Sequence, residues 1–169
     1  MRALRPLLIL AIAFPFGSVQ ASPPTPAPCS TPEYAQFDFW LGDWDVTVPG
    51  GKPAGHNLVT KEYGGCVVQE HWTGAGGTIG SSFNTYDPAR KVWHQTWVSN
   101  VGGLVLLEGG LRDGSMVLSG VQLQPDGSQL INRVTWTPKD GKVRQFWETS
   151  SDGGKTWAVA FDGMYSRAH

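Results

Sequence analysis

From residue 43 onward, apolar and polar residues alternate in short runs that are separated by turn-forming residues. A period of two puts successive side chains on opposite faces, the pattern of strands covered on one side. Asp113-Gly114, Asp126-Gly127, Asp140-Gly141 and Asp152-Gly153 recur at spacings of 13, 14 and 12 residues. Asp-Gly favours tight hairpins because glycine accepts a positive φ without steric penalty. Earlier breaks fall at 49–53, 64–65, 74–77, 87–88 and 102–103. Nine breaks separate ten strands, predicted near 43–48, 56–63, 66–73, 79–86, 91–99, 104–110, 115–123, 129–137, 142–149 and 156–166. Consecutive strands joined this way are antiparallel neighbours, and ten in up-and-down order lose their unpaired edges by closing on themselves. The expected fold is therefore all-β, a roughly ten-stranded antiparallel up-and-down barrel. One short N-terminal helix is expected within 30–42, with Ser30 or Thr31 as N-cap, Pro32 in the first turn, Glu33 as capping-box partner and Gly42 as stop.

Eight tryptophans sharpen this reading: Trp40, Trp44, Trp72, Trp93, Trp97, Trp136, Trp147 and Trp157. So small a single-layer structure packs them only if most point inward. Parity then assigns Trp93, Gln95 and Trp97 to one inner face, and Val68, Glu70 and Trp72 to another. In 142–149, Val143, Gln145 and Trp147 oppose Arg144, Phe146 and Glu148, and an aromatic on both faces leaves the orientation open. Such an interior is too polar for a dry core. Either its groups satisfy one another, Glu70 pairing with Arg133 or Arg144, or they surround a ligand or ordered water.

The chain has 169 residues, with 13 Lys+Arg against 14 Asp+Glu. This balance has no basic footprint, so nucleic acid and anionic membrane surfaces are not expected partners. Arg2 and Arg5 precede an apolar run over 7–16, and Val19 and Ala21 suit a cleavage site, so 1–21 reads as a signal peptide. The run is too short for a permanent span, which needs about 20 residues, so no stable membrane insertion is expected after cleavage. SPPTPAP at 22–28 reads as a Pro-rich tether, and 29–169 as a single barrel domain. The expected location is exported, either periplasmic or secreted. An oxidising compartment lets Cys29 and Cys66 close a disulfide. A ring of about 38 residues stabilises by about 4 kcal/mol in the loop-entropy model. Two cysteines without a nearby histidine make a poor zinc site, and no metal is expected.

Several short patterns carry less than they suggest. Residues 150–157, SSDGGKTW, match the Asp-box of sialidase propellers, but a single copy reads as a hairpin device held by Asp152 and Trp157. Gly74-Ala75-Gly76-Gly77 follows a strand and precedes another, which suits a hairpin and not a dinucleotide loop. Neither GxSxG nor HExxH occurs.

FDFWLGDWDV at 37–46, GGCVVQEHWTGAGG at 64–77, NTYDPARKVWHQTW at 84–97, RQFWETSSDGGKTW at 144–157 and FDGMY at 161–165 together resemble a bacterial family of exported proteins. That family is classed as a domain of unknown function and is similar to lipocalins and nitrobindins, with a calycin-like barrel. Gly42-Asp43-Trp44 also looks like the Gly-x-Trp of lipocalin-type barrels. The resemblance implies that Trp44 plugs one end and packs on Arg167 from the last strand, a structural closure with a cation–π contact. A nitrobindin-like haem barrel would need an axial histidine on a late strand, and His169 lies beyond the last strand. No cofactor is expected, with haem as an alternative.

The functional expectation is an exported protein that binds a small apolar or aromatic molecule in a Trp-lined cavity. Its ligand-binding residues would be Glu70, Trp72, Trp93, Gln95, Trp97, Gln145 and Trp147. An alternative is an enzyme of isomerase or hydratase type with Glu70 as acid or base, its pKa raised by burial among tryptophans. A structural or interaction module with a filled barrel is a third.

Overall fold

The computed structural model describes residues 27–169. The expected signal peptide and most of the Pro-rich tether lie outside the described residues. Ten strands form one closed antiparallel barrel: β1 (Gly42–Thr47), β2 (Pro53–Glu62), β3 (Val67–Gly74), β4 (Ile79–Asp87), β5 (Val92–Ser99), β6 (Leu104–Arg112), β7 (Ser115–Leu123), β8 (Gln129–Lys139), β9 (Lys142–Ser150) and β10 (Ala158–Arg167). Each strand pairs with its sequence neighbours, and β1 closes the ring on β10 in a register that sets Trp44 opposite Arg167. The expected strands are all present.

The hairpins follow from their turn residues. Asp113 and Gly114 have φ of 48° and 77°, and Asp140 and Gly141 have 52° and 75°. Positive φ at both central positions gives the turn whose twist matches its flanking strands. The Asp-box joins β9 to β10. There Asp152 accepts hydrogen bonds from Ser150 Oγ (2.8 Å), Lys155 N (2.9 Å), Thr156 N (2.9 Å) and Thr156 Oγ1 (2.6 Å), and Trp157 Nε1 donates to Gly154 O (3.0 Å). These donors hold the Asp152 carboxyl far below the usual range. At 74–77 a tight turn connects β3 to β4, with Gly77 N donating to Gly74 O.

The N-terminal helix takes the form of two 3₁₀ turns, Pro32–Ala35 and Asp38–Trp40. The expected cap differs: Thr31 makes no side-chain capping bond, and Ser30 Oγ donates to Ala27 O. Gly42 opens β1 and does not end a helix. Three residues per turn put positions three apart on one side, so Phe37 and Trp40 both enter the barrel end and are fully buried. There Phe37 stacks on Trp40 with centroids 4.9 Å apart and meets Trp93 and Trp136 edge-on at 5.7 and 5.1 Å. Val68, Met116 and Val143 complete an apolar plug, and the Tyr165 ring meets Trp40 edge-on from the cavity side.

Outside the plug, the closure expected of a lipocalin-like barrel is present. The Arg167 guanidinium lies 3.9 Å from the Trp44 ring centroid, Arg167 Nη1 donates to Leu41 O (2.9 Å), and Trp44 Nε1 donates to Trp40 O (2.9 Å). Gly42, at φ 146°, passes so close beneath Arg167 that a Cβ would overlap the guanidinium. The Cys29–Cys66 disulfide fixes the N-terminal segment to the start of β3, and Lys61 Nζ adds bonds to Tyr34 O and Asp38 Oδ1. One end of the barrel is thus sealed by the chain that precedes it.

Candidate functional site: a cup with a polar floor and tryptophan walls

The other end holds a cavity of about 690 Å³, bounded at its mouth by the β3–β4 and β5–β6 loops, where Gly76 and Val101 are exposed. Odd-numbered strands run from the plug to the mouth. On three of them an inward polar residue is followed, two positions nearer the mouth, by a tryptophan: Glu70 and Trp72 on β3, Gln95 and Trp97 on β5, Gln145 and Trp147 on β9. Two residues along a strand advance about 7 Å, so the polar groups form a floor and the indoles form walls above it. Phe161 of β10 completes the wall beside Trp72, with centroids 5.9 Å apart.

The orientation left open on β9 is thereby resolved: Gln145 and Trp147 face the lumen, and Arg144 faces out to bond Asp162. Trp93 is the one expected ligand contact that does not line the cavity. It points inward as parity requires, but it lies nearest the sealed end, where Phe37 covers it and its Nε1 donates to Gln36 Oε1 (3.1 Å).

Two indoles lie over glycines of the adjoining strand. Gly80 of β4 faces Trp97, and Gly55 of β2 faces Trp72. A Cβ would stand 2.5 Å from Trp97 Cη2 at the first and 2.8 Å from Trp72 Cη2 at the second.

Glu70 is the centre of the floor, almost wholly buried, and its expected arginine partners are elsewhere. Arg133 bonds Glu148 (3.0 Å) and stacks on Trp157 (3.9 Å) on the outer wall, because Asn132 and Val134 occupy the inward positions of β8. Neutral donors serve Glu70 instead: Asn57 Nδ2 to Oε1 at 2.8 Å and Ser82 Oγ to Oε2 at 2.7 Å. Asn84 Nδ2 donates to Ser82 Oγ (3.0 Å), and Gln95 Nε2 to Asn84 Oδ1 (2.7 Å). On the other side Asn57 Nδ2 also reaches Tyr165 OH (3.3 Å), which in turn donates to Gln145 Oε1. Asn57 Oδ1 is buried without a partner. Burial pushes the Glu70 carboxyl up to about 7, against the opposing pull of the Ser82 and Asn57 hydrogen bonds. The Tyr165 phenol is raised by burial and by the nearby Glu70 charge.

Parity on the odd strands found Glu70 and Gln95, left Gln145 undecided between two faces, and missed Asn57, Ser82, Asn84 and Tyr165. Their signal was present: Ser82-x-Asn84 places two polar residues on one face of β4, between Gly80 and Tyr86. Nearer the mouth, Trp147 Nε1 donates to Asn132 Oδ1 (2.9 Å).

Among the described residues, no histidine, lysine or arginine lines the cavity. His56 sits outside between Asp43 and Asp45, His94 bonds Thr96 and Glu108, and His71 and His169 are exposed. The lining contains no cysteine or methionine either, so a haem held by a histidine or sulfur ligand does not fit this lumen. Among the described residues no group of three or more His, Cys, Asp or Glu converges to hold a metal ion. Comparison with protein-family models and with curated proteins returns no match to this sequence.

Proposed function

We propose that this protein is an exported binding protein that holds a small, partly aromatic molecule in the open half of its barrel, and that it belongs with the lipocalin-related exported family it resembles. The observation that carries the reading is the pairing of a cavity of about 690 Å³ with a polar floor beneath Trp72, Trp97, Trp147 and Phe161. Ligand pockets of about 300–1,000 Å³ with apolar walls and few convergent polar groups suit drug-sized molecules. A filled barrel would have no use for such a lumen.

Native mass spectrometry of the protein taken from its own exported fraction tests this. The expected result is a noncovalent mass increment that disappears on denaturation. A bare chain that also takes up no hydrophobic dye would overturn the proposal.

A second reading follows from Glu70 alone. A carboxyl poised near neutrality at the bottom of a pocket suits general acid–base chemistry on a bound molecule. Glu70→Gln would abolish turnover by such an enzyme, whereas in a binding protein it only retunes affinity.

A further inference from the structure

We infer that the cavity selects organic cations, namely amines or quaternary ammonium compounds with an apolar or aromatic body, placing the positive nitrogen against Glu70 and the body between the indoles. This rests on the binding reading above and names the ligand class.

Three observations carry it. Among the described residues, Glu70 is the only side chain lining the cavity that ordinarily bears a full charge, and no Arg, Lys or His is present to balance an anion. A carboxylate, phosphate or sulfate would enter a low-dielectric lumen facing a carboxylate and no cation, an arrangement that electrostatics disfavours strongly. A cation entering the same lumen neutralises the one charge the protein has buried there.

The walls favour the same sign. Trp72, Trp97, Trp147 and Phe161 all line the space above the floor, and aromatic faces attract cations through their quadrupoles, indole most strongly.

The hydrogen bonding of the floor leaves room for a donor. Each Glu70 oxygen accepts a single protein hydrogen bond, from Asn57 on one side and Ser82 on the other. A carboxylate has about four lone-pair sites, so an ammonium N–H has acceptors to meet. Gln95 directs its amide nitrogen at Asn84 and Ser82, which leaves its carbonyl oxygen as a further acceptor at the cavity. The elevated carboxyl of Glu70 agrees with this: without a cation its charge is costly, and a cation returns it to the ionised form.

Isothermal titration calorimetry near pH 8 with three probes of one shape tests the inference: naphthylethylamine, naphthylethanol and naphthylpropionate. The expected order is amine tightest, alcohol at least about ten-fold weaker, and acid without detectable binding. Glu70→Gln should remove the advantage of the amine over the alcohol. In the variant Ser82 Oγ still has a carbonyl oxygen to donate to, and turning the Asn57 amide offers its Oδ1 to the new Gln nitrogen at the cost of the Nδ2 bond to Tyr165 OH. Equal binding of all three probes, or an amine advantage that survives Glu70→Gln, would overturn the charge selection and leave the binding cavity standing. Failure of all three probes to bind would count against the cavity itself and sink both readings.

Discussion

Glu70 and Ser82 are direct partners across β3 and β4, and Ser82 Oγ donates to Glu70 Oε2 at 2.7 Å. Asn57 faces Glu70 from β2, and Tyr165 of β10 adjoins Asn57, so the carboxyl has no cation among its partners. Its folded pKa, about 7, lies above the ordinary carboxyl value of 4.5. The folded state therefore holds the proton more tightly than the unfolded chain, and stability contributed by Glu70 is complete below pH 4.5 and lost as pH rises through 7. The loss is on the order of 3 kcal/mol. Urea unfolding of the wild type should show stability falling between pH 5 and 8 relative to Glu70→Gln. Parallel curves for the two proteins would refute the assignment.

Gly42→Ala should destabilise by about 1–3 kcal/mol, since it adds a strained φ to a clash with the Arg167 guanidinium. Thermal melts of a double-mutant cycle with Arg167→Ala separate the two causes. The double variant is expected to recover part of the loss, and strict additivity would show that the guanidinium does not matter.

Trp93 and Trp136 lie in the same plug, but only Trp93 has its indole N–H satisfied, by Gln36. Replacing each by phenylalanine removes similar ring volume. Trp136→Phe also removes a buried donor without a partner, so its Tm should fall less than that of Trp93→Phe. The reverse order would mean that the Gln36 bond contributes nothing.

Loss of the disulfide through Cys29→Ser with Cys66→Ser should reduce stability by about 4 kcal/mol at most. The more specific expectation concerns the plug. Freed from the start of β3, the segment that carries Phe37 and Trp40 opens more often, and acrylamide should quench the buried tryptophans more strongly than in the parent. Unchanged quenching would show that Lys61 and the stacked rings hold the plug unaided.

Asp152→Asn removes the charge that Lys155 N and Thr156 N bind. Because the folded carboxyl is depressed, its contribution is present above the ordinary aspartate value of 3.8 and lost as pH falls below it. Hydrogen exchange at Lys155 and Thr156 should quicken at neutral pH in the variant. Protection equal to wild type would place the strength of the loop in its hydroxyls.

The barrel was legible because its information is local. Asp-Gly turns mark where strands reverse, and parity within β3 and β5 places Glu70 and Gln95 inside, whereas an aromatic on both faces of β9 left Gln145 open. What was not legible depends on which residues meet across the barrel. Nothing near Glu70 in the chain shows that Asn57 and Ser82 would serve it, since that follows from the registers of β2 and β4 on β3. Arg133 could have been excluded from the lumen by the same parity, because Asn132 and Val134 flank it. The place of Trp93 was hidden for another reason: whether an inward side chain meets cavity or plug depends on how Phe37 docks from outside the sheet.

The glycines under Trp97 and Trp72 act as gauges of pore calibre. Each lets an indole recline against the barrel wall, and a Cβ there would meet backbone as well as the ring, Val98 O at 2.7 Å for Gly80 and Thr73 O closer still for Gly55. The width of the chamber is thus set partly from behind the tryptophans. A side chain at either position would press on the indole and on the adjoining strand together, so the width of the chamber and the pairing of its wall depend on the same two glycines.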